Sequence, residues 1–278
     1  MFYYAHRALY KFGFYDRVNI ITTAVVNNKK FKIPIINGTG YYHLLEHEDW
    51  FQKLLQQLLP KVEGCFVDVG MNIGQTMLKV KAIAPQQDYV GFEPNPLCAY
   101  YCNKLIEANE LTDCTVYPFG LFDKNDVLTL YMDKDHASGA SVLVKLRKNM
   151  NRYKKKIKVP VFKGDEIFTK ENKRIGLLKA DVEGAELEVI KGLQKIIIRD
   201  MPTTILEILP VYDATSENGK YRKERENELL KILHDLGYFM FLINEKDSTL
   251  TRIEEITVHG DMSKTNYLFI HSSKLDAI

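Results

Sequence analysis

Gly64-Cys-Phe-Val-Asp68-Val-Gly70-Met-Asn72-Ile-Gly74-Gln-Thr76, followed after twelve residues by Tyr89-Val-Gly-Phe-Glu93-Pro-Asn-Pro96, reads as a strand, a tight glycine turn, a helix and a second strand ending in a carboxylate. That order is the build of a nucleoside-binding βαβ unit: glycines at the first turn let backbone approach a ligand, and an acid at the tip of the next strand accepts both hydroxyls of a ribose. Gly70 and Glu93 lie 23 residues apart, which fits one helix and one strand. The turn also discriminates between nucleosides. A dinucleotide fingerprint requires G-x-G-x-x-G, but Asn72 stands where the second glycine would be, and Asp68 puts a carboxylate where it repels a diphosphate. NAD and FAD are disfavoured on both counts. S-adenosylmethionine has no phosphate and carries an ammonium and a sulfonium, so Asp68 becomes an attraction and Asn72 a partner for the amino-acid end. Asp68, Gly70, Asn72, Gly74, Gln75, Thr76, Glu93, Pro94 and Asn95 are the expected cofactor-binding residues.

Working outward, a helix from about Leu97 to Asn109 leads to a third strand, Thr115–Phe119, and the residues after it, Gly120, Leu121 and Asp123, are candidates to face the adenine. Strands Ile175–Ala180 and Thr203–Ile208 deliver Asp181, Glu183 and Glu207 to the same edge, where open α/β sheets bind ligands. Next come a helix over Tyr221–Leu236 and two closing strands, Tyr238–Ile243 and Tyr267–Ile270. Upstream, Val18–Ile36 reads as a hairpin turning at Asn27-Asn28, and His47–Leu59 as an amphipathic helix.

Three segments, Phe66-Val-Asp68-Val-Gly-Met-Asn72-Ile-Gly74-Gln-Thr76, Val90-Gly-Phe-Glu93-Pro-Asn95-Pro and Leu178-Lys-Ala-Asp181-Val-Glu183-Gly-Ala-Glu186 continuing to Gly192, together resemble the FkbM family of S-adenosylmethionine-dependent methyltransferases. The resemblance spans about residues 60 to 210. It implies a class I methyltransferase fold, an α/β Rossmann-like three-layer sandwich with a seven-stranded, mostly parallel sheet whose last strand is antiparallel. It also implies methyl transfer to a hydroxyl oxygen, and it alone points to a sugar. Met71 departs from the small residue more usual in the family, which should alter packing at the turn without removing a polar contact.

A chain of 278 residues with 46% apolar residues can bury a full core. The expected organisation is an N-terminal extension over residues 1–60 and a methyltransferase domain over 61–278, with an insertion at about 123–175. The formal charge of +2, from 38 basic and 36 acidic residues, is too balanced for a nucleic-acid partner. Cys65, Cys98, Cys102 and Cys114 include no C-x-x-C pair and have no nearby histidine pair to complete a zinc site, so reduced thiols are expected. No apolar run reaches membrane-spanning length, Met1–Arg7 lacks a secretory pattern, and a cytoplasmic location is the default expectation. The aromatic stretch over residues 1–14 reads as packed onto the domain, covering the active site or lying on a membrane surface. Within the insertion, Lys145–Lys156 holds seven Lys or Arg and no acid, a solvated face or a trap for a phosphate- or carboxylate-bearing acceptor.

The chemistry expected is a transfer to a hydroxyl, which needs a positioned base. Asp181 is the first choice, with Glu183 and His136 behind it, and Asp135, Ser138, Ser141 and Glu207 are expected to touch the acceptor, a small molecule or glycan. Asp181, Glu183 and Glu207 could alternatively hold Mg²⁺, which is not favoured because no His or Asp array completes the site. Glu186 reads as a complement to the helix dipole. The competing readings are an NAD-dependent oxidoreductase and a nucleoside-binding module without transfer activity.

Overall fold

The computed structural model describes residues 19–45, 48–133, 140–143 and 153–277. The chain opens with a hairpin of β1 (Asn19–Val26) and β2 (Lys29–Ile36), antiparallel with Val26 opposite Lys29. Both residues of the two-residue turn, Asn27 and Asn28, have positive φ (46° and 60°), the geometry of a type I′ turn that asparagine tolerates. Phe31, Ile33 and Ile35 of β2 are buried. Asn109 fastens this strand to the helix beneath it: it accepts from Lys32 N at 2.7 Å and donates to Lys32 O at 2.7 Å. Helix α1 (Asp49–Leu58) follows, burying Phe51, Leu54, Leu55 and Leu58 as its periodicity predicts.

The nucleoside unit then runs β3 (Cys65–Val69), α2 (Gln75–Ile83), β4 (Tyr89–Phe92), α3 (Pro96–Asn109) and β5 (Cys114–Tyr117). A small sheet interrupts it: β6 (Gly120–Leu121), β7 (Asp126–Met132) and β8 (Lys155–Phe162), in the order β6-β8-β7. Strands β7 and β8 pair in an antiparallel ladder. The chain returns through α4 (Gly164–Glu171) and β9 (Ile175–Ala180), then α5 (Glu186–Gly192), α6 (Gln194–Asp200) and β10 (Thr203–Glu207). Helix α7 (Glu217–Asp235), β11 (Tyr238–Ile243), β12 (Leu250–Ile253) and β13 (Asn266–His271) finish the main sheet.

That sheet has the order β12-β11-β13-β10-β9-β3-β4-β5. Strands β5, β4, β3, β9 and β10 are parallel, and β13 lies antiparallel between β10 and β11. This is the class I methyltransferase arrangement expected, with one addition. An eighth strand, β12, pairs antiparallel with β11 at the edge. Its four residues, Leu-Thr-Arg-Ile, are too short and too mixed to announce a strand, and Arg252 lies 3.9 Å over the Phe239 ring of its neighbour. Helix α7 starts four residues before the sequence suggests, because Ser216 caps it by accepting from Gly219 N at 3.1 Å.

Alternation along the parallel strands separates two cores. Phe66 and Tyr89 face the layer that holds Ile33, Leu54, Met77 and Leu105, while Val67, Val69, Val90 and Phe92 face Leu178, Leu187, Ile190 and Leu206. The hairpin and α1 thus share the first core with α2 and α3. The order of strands reverses between β3 and β9, so the crevice for a ligand opens at the carboxyl ends of these two strands. Among the described residues, no helix is long and apolar enough to cross a membrane.

Candidate active site

The turn after β3 is built against both neighbouring strands. Gly70 N and Met71 N donate to Phe92 O at 2.9 and 3.2 Å. Gly70 has φ +84°, and a Cβ there would lie 2.0 Å from Asp181 O, so the position is closed to any side chain. Gly91, on β4, leaves the room that Met71 fills: a Cβ at Gly91 would meet Met71 Sδ at 2.2 Å. Met71 is accordingly buried, and its departure from the family pattern is a packing solution.

Glu93 is locked to this turn. Asn72 N donates to its Oε2 at 2.8 Å, and Asn95 N to its Oε1 at 2.8 Å. Each carboxylate oxygen keeps acceptor capacity for a further donor. Asn95 also caps α3, accepting from Leu97 N at 3.1 Å ahead of Pro96. Burial pushes Glu93 up to about 7, against the two backbone hydrogen bonds, which act to lower it; Asp68 and Asp181 add to the rise.

A cavity of 340 Å³ opens over these groups. Of the expected cofactor residues, Gly70, Asn72, Gln75, Thr76, Glu93, Pro94, Asn95, Gly120 and Leu121 line it, as do Asp181, Glu183 and Glu207. Four expected residues do not. Gly74 ends the turn with φ +81° and faces Met77, Leu105 and Cys102. Ser141 donates to Glu183 O and accepts from Leu143 N, both at 3.1 Å, and its backbone pairs with Tyr131, so it fixes the loop. Asp68 corrects the most specific expectation: its side chain is wholly buried behind the cavity wall, accepting from the Tyr89 hydroxyl at 2.5 Å. Asp123 also lies off the cavity lining. Asp135, His136 and Ser138 lie outside the described residues, as do residues 1–18 and most of the basic run.

Lys179 stands between Asp68 and the cavity. Its Nζ is 3.5 Å from Asp68 Oδ1 and 3.5 Å from Asp181 Oδ2. Burial works to lower its pKa, yet the carboxylates of Asp68, Asp181, Glu48 and Glu207 outweigh that and raise it. Glu207 hydrogen-bonds Asp181 and is held toward its protonated form by burial first and by Asp181 second. Thr265 Oγ1 donates to Glu207 Oε1 at 3.3 Å. Glu186 lies at the start of α5 and accepts from Val182 N and Gly184 N, in the loop that precedes the helix, at 3.2 and 3.1 Å.

Lys179 was the main residue not expected. The signal existed: a lysine inside a buried parallel strand, two residues from Asp181 and so on the same face, must be paired. Glu48, Cys98 and Phe122 also line the cavity, joined by an apolar side of Leu130, Val142 and Val161 from the small sheet and its loop.

The family model of the methyltransferase FkbM domain matches residues 68–240, over half of the chain. The chain belongs to this family. Methyltransferase 1 of Beauveria bassiana (strain ARSEF 2860) is 28% identical over 166 residues, covering 53% of this chain and 66% of that protein. Methyltransferase sdnD of Sordaria araneosa is 31% identical over 156 residues, covering 46% of this chain and 60% of the other. The matched stretch thus spans less than two thirds of these relatives' lengths. The crystal structure of methyltransferase FkbM from Methylobacillus flagellatus KT aligns over 84% of this chain and 54% of that one, at 16% identity and a TM-score of 0.46. The matched FkbM segment contains the turn, Glu93, Lys179, Asp181 and Glu207, so every polar group of the crevice except Glu48 falls inside it. Among the described residues, no group of three or more His, Cys, Asp or Glu side chains is placed to hold a metal ion.

Proposed function

We propose that this FkbM domain is an S-adenosylmethionine-dependent O-methyltransferase acting on a hydroxyl of a sugar or another small or glycan-borne acceptor. The observation that carries the reading is the clamp on Glu93: two backbone N–H groups, from Asn72 and Asn95, fix both oxygens of one carboxylate at the cavity edge. A carboxylate so fixed suits the paired hydroxyls of a ribose. The remaining lining agrees with a cationic ligand. Glu48, Glu93, Asp181, Glu183 and Glu207 line the cavity with one cation, Lys179, among the described lining residues; Lys79 pairs with Glu48 and Glu207 is held toward its protonated form, so the negative excess rests on Glu93, Asp181 and Glu183. That balance attracts a sulfonium and an ammonium and repels a diphosphate, which is the case against a nicotinamide oxidoreductase.

S-adenosylmethionine, when bound, supplies an electrophilic methyl group. Gly70, Asn72 and Glu93 would hold it, with Leu121 and Phe122 offering apolar surface to its base. The residues of the chain then have two tasks. One is to hold the acceptor in line, where most of the rate arises. The other is to take its hydroxyl proton: Asp181 is the proposed base, and Lys179 keeps its carboxylate oriented from behind.

Titration calorimetry decides the cofactor. Heat with S-adenosylmethionine and none with NAD is expected, and Glu93→Gln should weaken the binding. A folded protein that binds NAD and ignores S-adenosylmethionine would overturn the reading. Incubation with methyl-labelled cofactor and a cell extract then identifies the acceptor and separates an enzyme from a binding module.

A further inference from the structure

Beside the candidate active site lies a second cavity, of 200 Å³, which the proposed reaction does not use. Its rim is the hairpin turn, with Asn27 and Asn28, and the first turns of α1 and α2, with Asp49, Gln52 and Gln75; His43 lies among them. Gln75 borders both cavities. Lys79, on the second cavity, donates at 2.5 Å to Glu48, on the first.

The lining has a definite chemistry. Amide side chains present donors and acceptors next to one another. His43 is nine-tenths buried and donates from Nε2 to Ile73 O at 3.0 Å, which leaves Nδ1 as an acceptor. Burial, with Lys79 nearby, lowers this imidazole to about 4, so it is neutral at physiological pH. The one lysine of the lining is already committed to Glu48, and Asp49 would repel an anion. Apolar surface comes from Val25, Val26 and Leu78. Neutral adjacent hydroxyls on a ring with C–H faces match this set, whereas a phosphate or carboxylate ligand does not. The volume is below that of a drug-sized pocket and suits one ring.

We propose that the second cavity is an acceptor subsite for a neutral polyhydroxylated unit, the sugar ring adjoining the one that receives the methyl group. This rests on the methyl-transfer reading and extends it: the preferred acceptor is an oligosaccharide of at least two linked rings, spanning both cavities past Gln75.

The test uses ligand-observed saturation-transfer NMR on the whole chain with S-adenosylhomocysteine present. The probes are methyl glycosides of glucose, galactose, mannose, rhamnose and N-acetylglucosamine, each as mono- and trisaccharide. Two variants remove the subsite in different ways. Asn28→Gly with Gln52→Ala deletes polar groups while glycine keeps the turn's positive φ and Gln56 still serves Asn27 at 2.9 Å. Val25→Trp fills the cavity from an exposed position. At least one trisaccharide should bind the wild type more tightly than its monosaccharide, and both variants should lose about tenfold of that affinity, the worth of one or two hydrogen bonds, with S-adenosylmethionine binding unchanged. Variants that bind the trisaccharide like wild type, or a wild type that binds S-adenosylmethionine but no trisaccharide, overturn the subsite alone. A wild type that does not bind S-adenosylmethionine overturns the methyl-transfer reading and the subsite with it.

Discussion

The Nζ of Lys179 lies 3.5 Å from Oδ1 of Asp68, a carboxylate with no exposure to solvent. The same ammonium reaches Asp181, so one half-buried cation ties the interior of the sheet to the acid proposed as base. Removing one partner of such a pair strands the other charge. Lys179→Met should cost about 3–5 kcal/mol in urea unfolding, and the double variant with Asp68→Asn should recover much of that. A Lys179→Met protein as stable as wild type would mean that Asp68 is satisfied by Tyr89 alone.

Glu93 gives the cofactor reading a pH signature. Burial raises it to about 7 in the free protein, and only the ionised form offers acceptors to both ribose hydroxyls. Affinity for S-adenosylmethionine should therefore fall as pH drops below 7, by about tenfold for each unit once the protonated form dominates. Binding near pH 7 should release protons, visible as calorimetric heats that change with the buffer's ionisation enthalpy. Glu93→Gln should bind weakly and without this slope.

Glu186 should contribute to stability in the opposite sense to a salt-bridged acid. Burial raises its pKa from 4.5 to about 7. The folded value lies above the unfolded one, so its contribution is fully present below about 4.5 and is lost as pH rises through 7. The slope in that window is about 1.4 kcal/mol per pH unit at most. Glu186→Gln, whose side-chain oxygen can accept from the same two N–H groups, should flatten the stability profile between those limits in denaturant titrations run at a series of pH values.

Asp181→Asn should retain cofactor affinity while turnover falls by roughly 10² to 10⁴-fold, the worth of a positioned base. Wild-type turnover would reassign the base to a neighbouring acid.

Gly70→Ala should be among the most damaging small substitutions in the chain. The new methyl would need the space of the Asp181 carbonyl at 2.0 Å, in a backbone conformation strained for alanine. A loss of several kcal/mol, or no soluble protein, is expected by thermal unfolding.

Much of this site was legible because its elements carry local signals. The strand–turn–helix order around Gly70 and the strand ends at Glu93, Asp181 and Glu207 follow from spacing, and the crevice follows from topology. Asp68 was misplaced for a reason of one residue. It is the penultimate residue of β3, so strand alternation still governs it and turns it toward the layer of Phe66 and Tyr89, while the ligand-facing wall is made by the turn's backbone. Ser141 was misread because its partner, the carbonyl of Glu183, lies 42 residues away in sequence. The strand β12 has no periodicity of its own and exists because β11 offers an edge. Such features depend on long-range pairing, which neither propensity nor spacing encodes.

Met71 and Gly91 divide one parcel of space between a thioether and a missing methyl group, although they stand twenty positions apart. Their identities are consequently bound to each other through evolution: a homologue with alanine at 91 must shrink residue 71, and one with alanine at 71 is free to enlarge residue 91. Grafting either residue alone between homologues would leave a collision or a hole beneath the nucleoside crevice.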